Sequence, residues 1–431
     1  MHRVTYWVLL IHHYYMLAVG IVRFRYDFVA DKPHTTTFIT YYSVVANVLT
    51  ICSLPWIYHT SFNVFLQHDR IGKLALYIFV GSRTLRVLAV VIAIVHNWLR
   101  REELLTVIRE FNFLRWTFFS RFTVAAPAQR HFEIKIVRNI LSGLMIDVSG
   151  FIMILFAYSE QASSEFILSS IMFTFVSNIL YLVINQYYFA LRTVILFGNL
   201  MNQQLTDIMK FTEHVASLQH KHRNHVQFKA RCRLLSQELD ELSVVYWQLQ
   251  TLAERITDIF KWQGLGVLTN MYIFNVSLIY TVVSMLWTGE FTVSHYDWVA
   301  VLMATTSVVY LLDVREFLGL QLEHMDIFNL KFLHLETYSS LPPLDKALER
   351  SVERFHMQLS INKYEMSLLG LFKFNGEVGF SMFASMLLTM SVDVIKVAST
   401  PFLETDMLYM SSKDDTLLFI SISVRLRFPT E

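Results

Sequence analysis

Charge is what this sequence has least of. Only 16% of its 431 residues are Asp, Glu, Lys or Arg, while 54% are hydrophobic and 15% aromatic. Soluble domains carry roughly a quarter charged residues, so this chain cannot cover itself with water-facing side chains. A soluble globular domain is excluded and an integral membrane protein is left. The net charge of +1 does not supply the clustered basic surface that a nucleic-acid partner needs, so no nucleic acid is expected. Cysteine is almost missing too. Cys52 lies in an apolar stretch and Cys232 in a charged one, which gives no disulfide framework. No phosphate-binding glycine loop, HExxH or GxSxG occurs, so nothing supports an enzyme or a cofactor. A cleavable signal peptide is not indicated either. The first apolar run is broken by His12, His13, Tyr14 and Tyr15, and no small-residue cleavage site follows.

What is present is a series of apolar spans. Residues 1–22 are aromatic-rich with two central histidines, which suits an interfacial or protein-packed helix; a true first span is the alternative. Window hydropathy then gives seven transmembrane helices at about 37–58, 74–98, 136–156, 167–190, 263–287, 298–318 and 371–397, in an all-α polytopic fold. The linkers at 99–135, 191–262 and 319–370 are rich in Arg and Lys, among them Arg100, Arg101, Arg109, Arg115, Arg121, Arg130 and Lys135. Those at 157–166 and 288–297 hold neither residue, and 59–73 has only Arg70 and Lys73. Positive loops stay cytoplasmic. The N-terminal segment 1–36 and the three long linkers are therefore expected inside, and the C-terminus outside. Residues 398–431, with Pro401 and mixed charges, read as a poorly ordered external tail.

The long linkers are expected to continue as cytoplasmic helices. Leu235, Leu239, Leu242, Tyr246, Leu249, Leu252, Ile256 and Ile259 recur at spacings of three and four, an amphipathic helical pattern. It runs into the span at 263 without a proline or turn signal. Such a stripe needs a partner surface: either a second subunit, with 191–262 and 319–370 as the assembly region, or its own subunit.

The last apolar span carries Glu377, Ser381, Ser385, Thr389 and Asp393, each four residues after the last. Residues four apart share a helix face and drift by about 40° per step. The result is one winding polar stripe, tolerated against water or partner helices but costly against lipid. Pore lining and buried packing both remain open from the stripe alone.

Three charges lie at mid-span depth: Arg83 and Arg86 in the second span and Asp147 in the third. Intramembrane charges pair or face a water-filled cavity, so an Arg–Asp pair is expected, either structural or part of a ligand pocket. Tyr158, Thr174, Ser177, Tyr280, Ser284, Trp287, Thr305 and Thr306 add hydroxyl and aromatic groups to the outer halves of neighbouring spans. Such a lining suits a small-molecule pocket, and interfacial belts and helix packing produce it equally. His214, His220, His222 and His225 have no cysteine or carboxylate at ligand spacing beside them. They read as a solvated linker, and no metal is expected.

The span count, inside N-terminus, long inner and short outer loops resemble the insect gustatory receptors. "GLFKFNGEVGFSMFASMLLTM", from Gly370, looks like that family's entry into its seventh helix, and "MLAVGIVRFRYDF", from Met16, looks like the segment before its first span. The closing motif departs from the family pattern. Thr389-Met390 stands where Thr-Tyr is usual and Lys396-Val397 where Gln-Phe is usual, and residues 398–431 follow. The resemblance implies a tastant-gated, non-selective cation channel at the plasma membrane. Four identical or different gustatory receptor subunits would surround a pore lined by the last span, each with a pocket for a small-molecule tastant. Ser381, Ser385 and Thr389 would then face the pore, with Asp393 near its outer mouth and Lys396 one turn further out. A seven-helix G-protein-coupled-type receptor is the first alternative, but its basic loops belong on the opposite side. The altered closing motif makes a non-conducting subunit the second.

Overall fold

The computed structural model describes residues 2–27, 32–66, 73–122, 124, 126–157, 164–218, 225–287, 296–329, 345–361, 367–368 and 372–373. Within those helices and strands, side chains are not described at 61–66, 73–79, 153–157, 217–218, 225, 278–287, 296–300, 303–304, 329, 367–368 and 372–373. Among the described residues the fold is all-α apart from two short hairpins. In order come α1 (Arg3–Ala18), β1 (Arg25–Asp27), β2 (Lys32–His34), α2 (Thr37–Leu66), α3 (Lys73–Leu99) and α4 (Arg101–Thr117). A 3-10 turn at Phe119–Arg121 leads to α5 (Ala126–Ala157), α6 (Ser164–Leu218), α7 (His225–Trp287), α8 (Tyr296–Asn329) and α9 (Lys346–Ile361). β1 pairs antiparallel with β2, and a two-residue hairpin joins Ser367–Leu368 to Phe372–Lys373.

Length separates the roles of these helices. At 55 and 63 residues, α6 and α7 run for roughly 80 and 95 Å at 1.5 Å per residue. A bilayer core is about 30 Å thick, so both project far beyond it. Three stretches among the described residues are apolar and long enough to cross a membrane, namely Thr37–Thr60, Val80–Leu99 and part of Ser164–Ala216. α5, α7 and α8 have the length to do so and pack against them. α2 tolerates Pro55 in its interior, as membrane helices do where neighbours re-satisfy the freed backbone groups.

α6 is the axle of the bundle, packed against α2, α3, α5, α7 and α8. Phe166, Phe173, Tyr187, Leu191, Met201 and Leu205 are buried along it. Gly198 permits the closest approach: a Cβ there would stand 2.3 Å from Ile327 Cγ2 on α8.

Beyond the spans, the stripe expected on α7 forms as drawn from the sequence, and all eight of its residues from Leu235 to Ile259 are buried within this one chain. Of the two covers the sequence left open, a second subunit or its own, these residues take the second. α7 lies against α6 and receives α9 and α4 as further cover. Tyr246 shows how: its ring meets Phe328 and Phe355 edge-on at 5.6 and 5.8 Å, and its hydroxyl donates to Phe328 O at 3.3 Å. Polar contacts fix the register of α9, with Ser236 Oγ 2.7 Å from Ser351 Oγ and Ser243 Oγ donating to Gln358 Oε1 at 2.5 Å. Arg100–Asp258 and Arg121–Glu241 ion pairs, at 3.1 and 2.8 Å, join the α4 region to α7.

Before the first span the chain turns back on itself at Gly20. Its φ of +83° is open to glycine at little cost, and a Cβ would come within 2.9 Å of Ala46 Cβ. The Gly20 carbonyl accepts from Ser43 Oγ and Asn47 Nδ2 of α2. That explains a glycine at this point of the segment ahead of the first span.

Candidate functional site

The site is assembled from α3, α5, α6, α7 and α8, and its centre is cationic. Arg83 and Arg86, three residues apart on α3, share a helix face. Both turn towards α6: the Arg83 and Arg86 Cζ atoms lie 4.3 and 5.7 Å from the Phe173 ring centre. Arg86 also sits 4.1 Å over Phe274 and donates through Nε to Asn270 Oδ1 at 3.3 Å. Guanidinium groups stack on aromatic faces because the flat cation meets the negative face of the ring. Away from water, such contacts replace part of the lost hydration.

The direct Arg–Asp147 pair expected from the sequence does not form. Arg86 lies within electrostatic range of Asp147, but among the described residues the carboxylate makes no ion pair, and its Oδ2 is buried without a hydrogen-bond partner. The same holds for Arg86 Nη2 and for the hydroxyls of Ser170 and Ser177 on α6. Buried polar atoms are nearly always partnered, so several orphans around one cation and one carboxylate mark a place that can accept hydrogen bonds from outside the chain.

Other residues marked in the sequence separate into groups. Thr174 is half-buried and bonds back to Ser170 O at 3.0 Å. Thr305 is exposed on α8 and donates to Val301 O at 2.7 Å, so it is turned away from the site. Its neighbour Thr306 is the one facing inward, donating to Ser149 Oγ on α5 at 2.9 Å. Tyr158 lies outside the described residues, as do the side chains of Tyr280, Ser284 and Trp287 on α7. So do Ser381, Ser385, Thr389, Asp393 and Lys396.

The structure adds a polar column that the sequence left unmarked. Below Asp147, Tyr181 of α6 and Tyr310 of α8 stand 6.1 Å apart, with Tyr310 also 5.0 Å from Phe274. Next comes a small cavity of about 20 Å³, with Asn139, Tyr181, Asn185, Tyr188 and Asp313 on its polar side and Leu268, Met271 and Phe317 on its apolar side, room for about one water molecule. Ser142 donates to Asp313 Oδ2 at 2.9 Å, and Asn139 donates to Asn185 Oδ1 at 2.5 Å. The column ends in an ion-pair network. The Arg192 side chain is 4% exposed and reaches Glu316 at 2.7 Å and Glu323 at 2.5 Å. Arg138 and Lys135 of α5 meet Glu316 at 2.6 and 3.4 Å. Tyr188 donates its hydroxyl to Glu316 Oε1 at 3.0 Å. The signal for this network was in the sequence as the spacing Tyr188–Arg192 and Glu316–Glu323; what was missing was which helices face each other.

A buried aromatic–cation site thus lies between several helices, with a polar column beneath it. Known proteins agree on the setting. The 7tm Chemosensory receptor family pattern fits residues 9–392. Among curated proteins of Drosophila melanogaster, the chain is similar to the one named gustatory receptor 36b, 21% identical over 384 residues, 85% of this chain and 92% of that one. It is similar to the one named gustatory receptor 36a at 22% over 401 residues, 89% and 95% of the two chains. In fold it resembles the insect olfactory receptor OR5 from Machilis hrabei, solved in complex with eugenol. The TM-score is 0.62 at 10% identity, covering 91% of this chain and 98% of that one. One family pattern runs from residue 9 to residue 392, nearly the whole of the sequence, and the chain belongs to the 7tm chemosensory receptor family.

Proposed function

We propose that the chain is a subunit of a tastant-gated, non-selective cation channel of the plasma membrane, assembled as a homotetramer or with other gustatory receptor subunits. The observation that carries its ligand site is the pair of orphaned buried charged atoms, Arg86 Nη2, whose guanidinium lies against Phe173 and Phe274, and Asp147 Oδ2 within electrostatic range of Arg86. A ligand with an apolar or aromatic body would lie against the two rings. A carboxylate or hydroxyl oxygen on it would accept from Arg86, and a hydroxyl or amine donor would reach Asp147. The relative in fold solved with eugenol supports a small organic molecule as the class. The guanidinium groups rest directly on the Phe173 and Phe274 rings, so entry requires the aromatic side chains to turn aside. That movement would be passed down the column to α8.

The Lys- and Arg-rich linkers support a cytoplasmic N-terminus and cytoplasmic extensions of α6 and α7. With the Leu235–Ile259 stripe occupied internally, subunits would meet through the other face of α7, where Val244 and Trp247 stay exposed. The pore falls to the last span, where Ser381, Ser385 and Thr389 would offer oxygens to passing cations and Asp393 would form an acidic ring. Lys396 opposes that ring, and with the altered closing motif it favours a second reading, a non-conducting partner in a mixed assembly.

The test is expression alone and with candidate partner subunits, with current recorded under a tastant panel. Arg86→Gln and Asp147→Asn are expected to raise the half-activating concentration at unchanged surface level. Asp393→Asn is expected to reduce unitary cation conductance. Unaltered dose responses in both pocket variants would reject the site, and unaltered conductance would reject the pore assignment.

A further inference from the structure

Arg23 is a buried charge that its neighbours leave unanswered. It lies between α1 and β1, just past the turn at Gly20. The backbone ahead of it is pinned. The Ile21 and Val22 amides donate to the Met16 carbonyl at 3.0 and 3.4 Å, the Ile21 carbonyl accepts from Asn97 Nδ2 of α3 at 2.6 Å, and both side chains are buried. From that fixed start the Arg23 guanidinium stacks on the Trp98 ring of α3, with Cζ 3.4 Å from the ring centre, and the residue is only 8% exposed.

Stacking occupies the face of a guanidinium and leaves its N–H groups free in the plane. Nη1 and Nη2 of Arg23 are both buried, and neither has a hydrogen-bond partner. The charges at the junction of α3 and α4 do not answer them. Arg100 is held by Glu103 at 2.5 Å and Asp258 at 3.1 Å, Lys261 pairs with Asp258, and Arg101 pairs with Glu102 at 3.2 Å. Those three cations and three carboxylates balance, so Arg23 is one positive charge over. Burial, and after it the like charge of Arg101, holds the Arg23 pKa down at about 10, with Glu102 opposing; the group is still charged at neutral pH. Buried charges are normally paired, because an unpaired one has lost its hydration for nothing. Arg23 therefore calls for an anion from outside the chain.

Depth selects the anion. Trp98 and Leu99 close the apolar stretch Val80–Leu99, and Leu99 is 75% exposed. The Arg23–Trp98 stack thus stands where hydrocarbon gives way to headgroups, the level that tryptophan favours. Phosphate is the anion carried at that level, and two of its oxygens match the planar guanidinium fork. We infer that Arg23, backed by Trp98, binds a phosphate group at the membrane edge, as the phosphomonoester of an anionic lipid headgroup or as free phosphate. Both Nη atoms would donate to it, and its charge would cancel the surplus. Because the two nitrogens are covered, entry needs a side chain over them to change rotamer, as is common where a partner binds. The assignment needs only the membrane setting and not the channel reading.

The test uses the purified full chain in a maltoside detergent, read as the temperature at which half of the size-exclusion peak is lost. Dioctanoyl phosphatidic acid, inorganic phosphate and dioctanoyl phosphatidylcholine are each titrated. The chains compared are wild type, Arg23→Gln, Arg23→Lys and, as a charge-matched control on the exposed side of α9, Arg350→Gln. Phosphatidic acid is expected to raise the temperature saturably for wild type and Arg350→Gln, and phosphatidylcholine to leave it unmoved. Arg23→Gln should raise the half-saturating concentration about tenfold or more. Arg23→Lys keeps the charge but loses the fork, and should raise it by less. A response to phosphatidic acid alone assigns the site to a lipid headgroup, and a matching response to inorganic phosphate assigns it to the free anion. No saturable rise in wild type, an equal rise with phosphatidylcholine, or the same half-saturating concentration in wild type and Arg23→Gln would overturn the site. If Arg23→Gln does not fold, an unshifted Arg23→Lys overturns it instead.

Discussion

Replacing Arg192 by methionine separates structural charge from surface charge in this receptor. The guanidinium is 4% exposed and held by Glu316 at 2.7 Å, Glu323 at 2.5 Å and the Tyr188 hydroxyl at 3.1 Å. Glu316 is itself only 18% exposed and also meets Arg138, whose side chain is 56% exposed. Breaking a buried ion pair by removing one partner costs about 3–5 kcal/mol, because the other charge is left uncompensated. Here Lys135 at 3.4 Å and Arg138 at 2.6 Å still face Glu316, which puts Arg192→Met near the lower end, about 3 kcal/mol. Arg138→Met removes a mostly solvated pair and is expected to cost about 1 kcal/mol or less. Glu316→Gln combined with Arg192→Met should cost less than the two single changes summed, by about 0.5–3 kcal/mol. The assay is thermal inactivation of fluorescently tagged protein in detergent, followed as the surviving size-exclusion peak. Equal losses for Arg192→Met and Arg138→Met, or strict additivity of Arg192→Met with Glu316→Gln, would refute the view that the network is a buried unit joining α5, α6 and α8.

Three further outcomes follow from the packing. Gly198→Ala places a Cβ 2.3 Å from Ile327 Cγ2 and should cost about 1–3 kcal/mol as overpacking; Ile327→Ala in the same chain should recover part of it, read in the same inactivation assay. Phe274→Ala removes the ring under Arg86 at 4.1 Å and should weaken tastant response more than Trp247→Ala on the exposed face of α7, measured as half-activating concentration. His324 is fully buried against Phe328 at 5.4 Å, and burial pushes its pKa down from 6.5 to about 3. A depressed histidine pKa leaves stability intact above pH 6.5 and removes it as pH falls from 6.5 through 3, by at most about 1.4 kcal/mol per pH unit. His324→Phe should therefore flatten the acid limb of the inactivation profile, and an unchanged limb would show that this histidine is not the group titrating.

Much of this protein is fixed by local pattern. The scarcity of charge decides the membrane setting, because no folding arrangement hides so much apolar surface in water. The helical extension of α7 is written in the three-and-four spacing from Leu235 to Ile259, and its buried face came out residue for residue. The mid-span charges Arg83, Arg86 and Asp147 are visible as costly groups that must serve a purpose. What spacing cannot reveal is which helix stands opposite. An amphipathic stripe states only that cover is needed, and the tertiary fold supplies it from α6, α9 and α4 of the same chain. Likewise Arg86 takes Asn270 and Phe274, far along the sequence on α7, in place of the carboxylate expected at the same depth. Thr305 and Thr306 differ by one residue and by about 100° of helix rotation. That angle puts one outside and the other on Ser149, and only the packing of α8 against α5 sets which is which.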